Sequence, residues 1–147
     1  MERIVVYTDG SCYPNPNGFG GWAFTVTKIN EDSTVEDIGH RSGAENNSTN
    51  NRAEFLAVIE ATRWLKENLD APHATIITDS LVAIAWAKDS CCSHKDLQRL
   101  WAQCKYGDLK FDWVKGHSDN KWNALCDAEA NKARERLTVA YKKIPSQ

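Results

Sequence analysis

Two stretches, Ile4-Val5-Val6-Tyr7-Thr8-Asp9-Gly10 and Ile76-Ile77-Thr78-Asp79-Ser80, decide how this chain folds. Each is a short run rich in β-branched residues, closed by Thr, Asp and a small residue, and each reads as a strand end. Between them lies a helical pattern. Over residues 52–68, Glu54, Val58, Ala61 and Leu65 recur at spacings of 4, 3 and 4 and share one face. A strand reached through a helical crossover runs parallel to an earlier one, with a right-handed connection. If the two strands are neighbours, Asp9 and Asp79 stand side by side at the carboxyl edge of the sheet, where open α/β sheets bind ligands. At a strand spacing of about 4.8 Å, two carboxylates repel unless a proton or a cation sits between them.

The rest of the chain extends this frame. Residues 3–8 form the first strand, 9–11 signal a turn, and 12–18 are a loop rich in Asn, Pro and Gly. Residues 20–29 are a second strand with Trp22, Phe24 and Val26 on one face, and 35–41 a third, making an antiparallel meander. Residues 44–51 are polar loop. The fourth strand covers 73–78, helices cover 81–88 and 93–105, and 109–114 alternate as a half-buried fifth strand. Residues 116–120 are loop and 122–136 a last helix. The order βββαβααβα predicts an α/β domain with a mixed five-stranded sheet and about four helices. The domain is expected to span residues 1–140, with 141–147 a flexible tail.

Composition agrees with one soluble domain. A chain of 147 residues buries a sizeable core, and 41% hydrophobic with 26% charged residues excludes disorder. No run approaches the ~20 apolar residues of a membrane span, and the N-terminus turns polar too soon for a secretory signal. Five cysteines, at 12, 91, 92, 104 and 126, form no Cys-x-x-Cys pair, so reduced thiols in a cytoplasmic protein are expected. Residues 1–85 hold 6 Lys+Arg against 12 Asp+Glu; residues 86–147 hold 12 against 8. A basic second half is compatible with a phosphate backbone as partner.

Taken singly, each acid has an ordinary use. Asp9-Gly10 can start a turn, Asp79 can cap the helix after it, and Glu54 can close a capping box begun at Asn51. Asp127 can sit on a solvated helix face. Together they are less ordinary, because the two Thr-Asp strand ends repeat one design.

Five blocks in order then resemble the type 1 ribonuclease H family. They are Thr8-Asp9-Gly10-Ser11-Cys12, Gly20-Gly21-Trp22-Ala23, Thr49-Asn50-Asn51-Arg52-Ala53-Glu54, Thr78-Asp79-Ser80, and Trp113-Val114-Lys115-Gly116-His117 followed by Cys126-Asp127. The resemblance implies a ribonuclease H-like fold with sheet order 3-2-1-4-5. It implies an endoribonuclease that hydrolyses the RNA strand of RNA–DNA hybrids, leaving 5′-phosphate and 3′-hydroxyl ends. Asp9, Glu54, Asp79 and Asp127 resemble the four carboxylates that hold two Mg²⁺ ions, with Mn²⁺ a possible substitute. Hard oxygen donors suit Mg²⁺, and paired cations serve both sides of a phosphodiester displacement. Glu54 and Asp79 are expected to begin helices, which favours their negative charge.

By the same resemblance, His117 looks like the mobile histidine that assists water activation or product release. Thr49 looks like a DNA-phosphate contact, and Asn15, Asn50 and Asn51 like contacts in the wide minor groove of an A-like duplex. Arg52 is expected to support the loop or a phosphate. Trp86 and Trp101 are expected in the core. The extra helix and basic loop that many bacterial members carry between the fourth and fifth strands are missing here, which implies weak hybrid binding with a shallow salt dependence. A monomer without a protein partner or membrane is expected. Two other readings remain open: a catalytically silent hybrid-binding module, and a junction resolvase or transposase domain on the same fold.

Overall fold

The computed structural model describes residues 3–70, 73–115 and 120–143. Five strands form one sheet: β1 (Arg3–Tyr13), β2 (Phe19–Ile29), β3 (Val35–Glu45), β4 (Ala74–Thr78) and β5 (Leu109–Trp113). Their order is β3-β2-β1-β4-β5. The first three strands pair antiparallel, while β4 pairs parallel with β1 and β5 parallel with β4. The helices are α1 (Asn50–Asn68), α2 (Leu81–Asp89), α3 (Lys95–Cys104) and α4 (Lys121–Lys142). The expected mixed sheet and strand order are therefore present.

Both faces of the central strands are covered. In β2, Gly20, Gly21 and residues 23–27 are buried, because α1 lies on one face and α4 on the other. The main core joins Val6, Phe24, Val26 and Ile76 of the sheet to Phe55, Val58, Ile59 and Leu65 of α1 and Leu97 and Trp101 of α3. The expected face of α1 is borne out: Val58, Ala61 and Leu65 are fully buried, with Glu54 on the same side. Trp101 is core and Trp86 packs partly buried against it. Under α4 a second, smaller cluster joins Ala23, Cys126 and Ala130, with Tyr7 against them.

Several boundaries differ from those read in the sequence. No turn exists at 9–11. Strand β1 continues to Tyr13 because β2 pairs with it all the way, with Asp9 opposite Ala23 and Tyr13 opposite Phe19. Its parallel partner stops earlier: the β1–β4 ladder ends at Tyr7 and Ile77. Beyond that point β1 has one paired edge and one open edge, and Asp9 is near the start of the open part. Helix α1 begins at Asn50, not at residue 52, because Thr49 is its N-cap and accepts from the Arg52 amide at 3.0 Å. Helix α4 runs past residue 136, so residues 141 and 142, expected in a tail, belong to it. There Tyr141 packs edge-on against Phe19 and accepts from Asn46 Nδ2 at 2.8 Å. His117 and most of the 116–120 loop lie outside the described residues. Among the described residues no helix is long and apolar enough to cross a membrane.

Candidate metal centre

Three chain segments deliver carboxylates to one point. Asp9 comes from β1 where the β4 ladder stops, Asp79 from the residue after β4, and Glu54 from one turn inside α1. One ligand oxygen from each lies within 4.8 Å of the others, a spacing that a single cation can bridge. The ladder explains the first pair: Tyr7 opposes Ile77, so two residues on, Asp9 opposes Asp79. Gly10 explains the third. A Cβ there would collide with the Ala53 carbonyl carbon and come within 2.5 Å of the Glu54 amide nitrogen. Only a hydrogen lets α1 lie this close to β1. The Gly10 amide then donates to Glu54 Oε1 at 3.1 Å and to Asp9 Oδ1 at 3.0 Å.

The cluster floors a cleft of ≈ 620 Å³ lined also by Asn50, Ser80, Asn123, Ala124 and Asp127. Asp127, one turn after Asn123 on α4, stands on the opposite wall from α1 and is exposed. Burial pushes the Asp9 carboxyl up to about 7, helped by the charges of Asp79 and Asp127 and opposed by its bond with Glu54. Burial also holds the Glu54 carboxyl well above its ordinary range, with Asp9 and Asp79 adding to the effect. The expectation that Glu54 gains from a helix start is therefore overturned. Its position is past the first turn of α1, which holds no acid, and desolvation dominates. Nor does Asp79 cap α2: Ser80 does, accepting from the Ala83 amide at 3.0 Å. The capping box from Asn51 is likewise absent, since Thr49 holds the cap.

Such a group is costly without a counter-charge. Glu54 Oε2 is buried and has no hydrogen-bond partner among the described residues. Three carboxylates with one orphaned oxygen fit a hard divalent cation such as Mg²⁺. The four buried cysteines do not compete for this role. Cys126, below Asp9, has its thiol pushed up to about 12 by burial, and all five cysteines are free.

Of the remaining sequence candidates, Asn15, Thr49, Asn50, Asn51 and Arg52 gather on the α1 side of the cleft, and His117 lies outside the described residues. Asn50 Oδ1 accepts from the Cys12 amide at 2.8 Å, and Asn15 Oδ1 accepts from the Asn50 amide at 3.0 Å. These bonds pin the 12–18 loop to the start of α1. Asn51 is exposed beside them, and Thr49 caps the helix. Arg52 takes the loop-supporting role. Its guanidinium is bound by Glu45 at 3.0 Å and Asp96 at 2.8 Å, with its side chain 14% exposed. Arg52→Ala should strip two carboxylates of their partner and untie β3 from α3. The expected cost is about 1–3 kcal/mol, read as a lower denaturation midpoint; an unchanged midpoint would contradict this reading. Sequence reasoning missed Trp113, which is half exposed and whose indole N–H donates to the Asp79 carbonyl at 3.0 Å. It also missed Ser80 and Asn123. The signal was available for Asn123, four residues before Asp127 and so on the same helix face.

This topology and this acidic cluster define an α/β domain with a three-carboxylate site that could hold a metal ion beside an open strand edge. The RNase H family model matches residues 1–135. Relatives of similar length include Ribonuclease H of Campylobacter jejuni, 35% identical over 149 residues, covering 93% of this chain and 94% of the relative. Ribonuclease H of Francisella philomiragia is 36% identical over 153 residues, covering 93% and 94%. In three dimensions the chain resembles the N-terminal RNase H domain of a Mycobacterium tuberculosis protein. That match has a TM-score of 0.76 and 22% identity, covering 96% of this chain and 99% of that one. It also resembles LC11-RNase H1, solved in complex with an RNA/DNA hybrid, at TM-score 0.73 and 22% identity, covering 92% and 99%. The chain belongs to the RNase H family.

Proposed function

We propose that this protein is an endoribonuclease that hydrolyses the RNA strand of RNA–DNA hybrids with two Mg²⁺ ions, leaving 5′-phosphate and 3′-hydroxyl ends. One observation carries the reading: in a chain of this family, Asp9, Glu54 and Asp79 converge within 4.8 Å with a buried glutamate oxygen lacking a partner. Asp9, Glu54, Asp79 and Asp127 hold the metal, and Mn²⁺ is a workable substitute. When bound, the ions supply Lewis-acid stabilisation on both the attacking and the leaving side of the phosphodiester. The protein's own part is to hold the carboxylates together and to seat the duplex. Asn15, Asn50 and Asn51 face the minor groove and Thr49 a DNA phosphate, while Arg52 keeps their loop in place. A silent binding module has no need to confine three mutually repelling acids, which favours catalysis over binding alone. A cytoplasmic location and a monomeric state belong to the same proposal; the free cysteines support the former.

The test is one labelled strand presented in hybrid, double-stranded RNA, double-stranded DNA and a four-way junction, with and without Mg²⁺. Cleavage confined to the RNA of the hybrid and dependent on metal is expected; junction cleavage would favour the resolvase reading. His117 is assigned an assisting role in proton transfer or product release. His117→Ala should slow turnover about 10²-fold and leave measurable cleavage. A variant as inactive as Asp9→Asn would remove that assignment.

A further inference from the structure

A second row of side chains leads away from the carboxylates along the open edge of β1. Residues alternate across a strand, so Tyr7, Asp9, Ser11 and Tyr13 share the face on which α4 lies. Helix α4 answers with Asp127, Asn131 and Arg134, spaced by 4 and 3. The pairs meet. Ser11 Oγ donates to Asn131 Oδ1 at 2.8 Å, and the Arg134 guanidinium lies over the Tyr13 ring, 5.9 Å from its centroid. Gly21 makes the second contact possible. A Cβ there would strike the Ala130 carbonyl oxygen and come within 3.0 Å of Arg134 Cβ. The missing side chain lets this turn of α4 settle on the sheet.

Arg134 is held in place but poorly satisfied. Its side chain is 18% exposed, and Nε is buried with no hydrogen-bond partner among the described residues. Glu135 is 4.0 Å from a terminal nitrogen and is itself 67% exposed, a weak solvated pairing. Glu45 is taken by Arg52. Tyr13, by contrast, is 71% exposed, an aromatic face presented to solvent. A planar cation whose terminal nitrogen has, among the described residues, only this weak solvated pairing with Glu135, beside an exposed ring, suits a phosphate oxygen. The other basic residues nearby do not join it: Lys132 pairs with Glu129 at 3.5 Å, and Arg136 is exposed two positions round the helix.

We infer that Arg134, seated on Tyr13, binds a phosphate of the RNA strand a few nucleotides from the bond that is cut. The location follows from the geometry. Four residues of strand from Asp9 span about 13 Å, and seven of helix from Asp127 span about 10 Å. The row continues from the cleft itself, so the strand whose phosphate meets the carboxylates is the strand that reaches Arg134. The inference rests on the proposed hybrid cleavage and supplies a cationic grip in a chain without a basic loop between β4 and β5.

The experiment measures hybrid binding with Ca²⁺ replacing Mg²⁺ across a salt series, and steady-state cleavage with Mg²⁺. Arg134→Gln should weaken binding roughly tenfold and flatten the slope of log affinity against log salt by about one. KM should rise with kcat within twofold. Tyr13→Ala, at a surface position, should lose part of the grip. A scan of hybrids with single neutral methylphosphonates should find one RNA position that weakens the parent and not Arg134→Gln. Unchanged affinity and slope in Arg134→Gln and in Tyr13→Ala would overturn the inference, as would a sensitive position on the DNA strand. A parent that leaves the hybrid uncut would instead overturn the proposed function.

Discussion

Asp9→Asn should abolish cleavage, by 10³-fold or more at saturating Mg²⁺, while the metal-free protein becomes more stable. Both effects have one cause. Asp9 is 9% exposed, stands beside Glu54 and Asp79, and has its carboxyl raised to about 7. An amide keeps the volume and removes a charge that only a cation or a proton relieves. A gain of about 1–3 kcal/mol in the metal-free unfolding free energy is expected near pH 7. Wild-type cleavage in a folded Asp9→Asn protein would defeat the metal assignment.

The same group sets a pH dependence. Its folded pKa lies above the unfolded value of 3.8, so between about 4 and 7 the folded state holds more protons than the unfolded one. Stability therefore falls as pH rises through that window, and Glu54, shifted in the same direction, steepens the fall. Asp96 acts oppositely at lower pH. Arg52 holds its carboxyl down to about 2, so its contribution is present above about 4 and is lost as pH falls toward 2. Metal competes with the protons at the cleft. Added Mg²⁺ should raise the melting temperature more at pH 8 than at pH 6. Asp9→Asn should flatten both the pH 4–7 slope and the Mg²⁺ response. An equal Mg²⁺ shift at both pH values in the parent would show that these carboxyls are already ionised without metal.

The parts legible in the sequence were those with a local signature. Periodicity placed α1 and its buried face, and the twin Thr-Asp endings brought Asp9 against Asp79 before any pairing was known. What escaped depended on long-range partners. Asp9-Gly10-Ser11 has turn chemistry, yet β2 pairs with it throughout, and the ladder overrides the local preference. Glu54 looked like a helix-start acid because the N-cap was misplaced; Thr49 moves the start back and leaves Glu54 in a desolvated site. Arg52 had the charge of a phosphate contact, but Glu45 and Asp96, 7 and 44 residues away in sequence, converge on it only in the fold. Trp113 entered the sequence reading only as part of a motif, and its hydrogen bond to the Asp79 carbonyl is visible only in the fold.

Gly10→Ala should damage both stability and the carboxylate cluster. Glycine is required here by space, since no described glycine has a positive backbone φ. The added Cβ meets backbone on α1, the Ala53 carbonyl group and the Glu54 amide, and backbone cannot rotate aside as a side chain can. Relief requires α1 to lift from β1. That movement opens the seam around Ala53, Ala57 and Val6, all fully buried, and pulls Glu54 from its bond with the Gly10 amide. Overpacking of this kind costs about 1–3 kcal/mol, enough to be seen as a drop in the denaturation midpoint. Activity should fall further than stability predicts, because Glu54 retreats from Asp9 even in molecules that stay folded. Gly107→Ala serves as the control: a Cβ there meets nothing within 4 Å, so that variant should keep both stability and cleavage. A Gly10→Ala protein with parental midpoint and parental Mg²⁺ affinity would mean that α1 does not approach β1 this closely. The three-carboxylate geometry would then lose its structural cause.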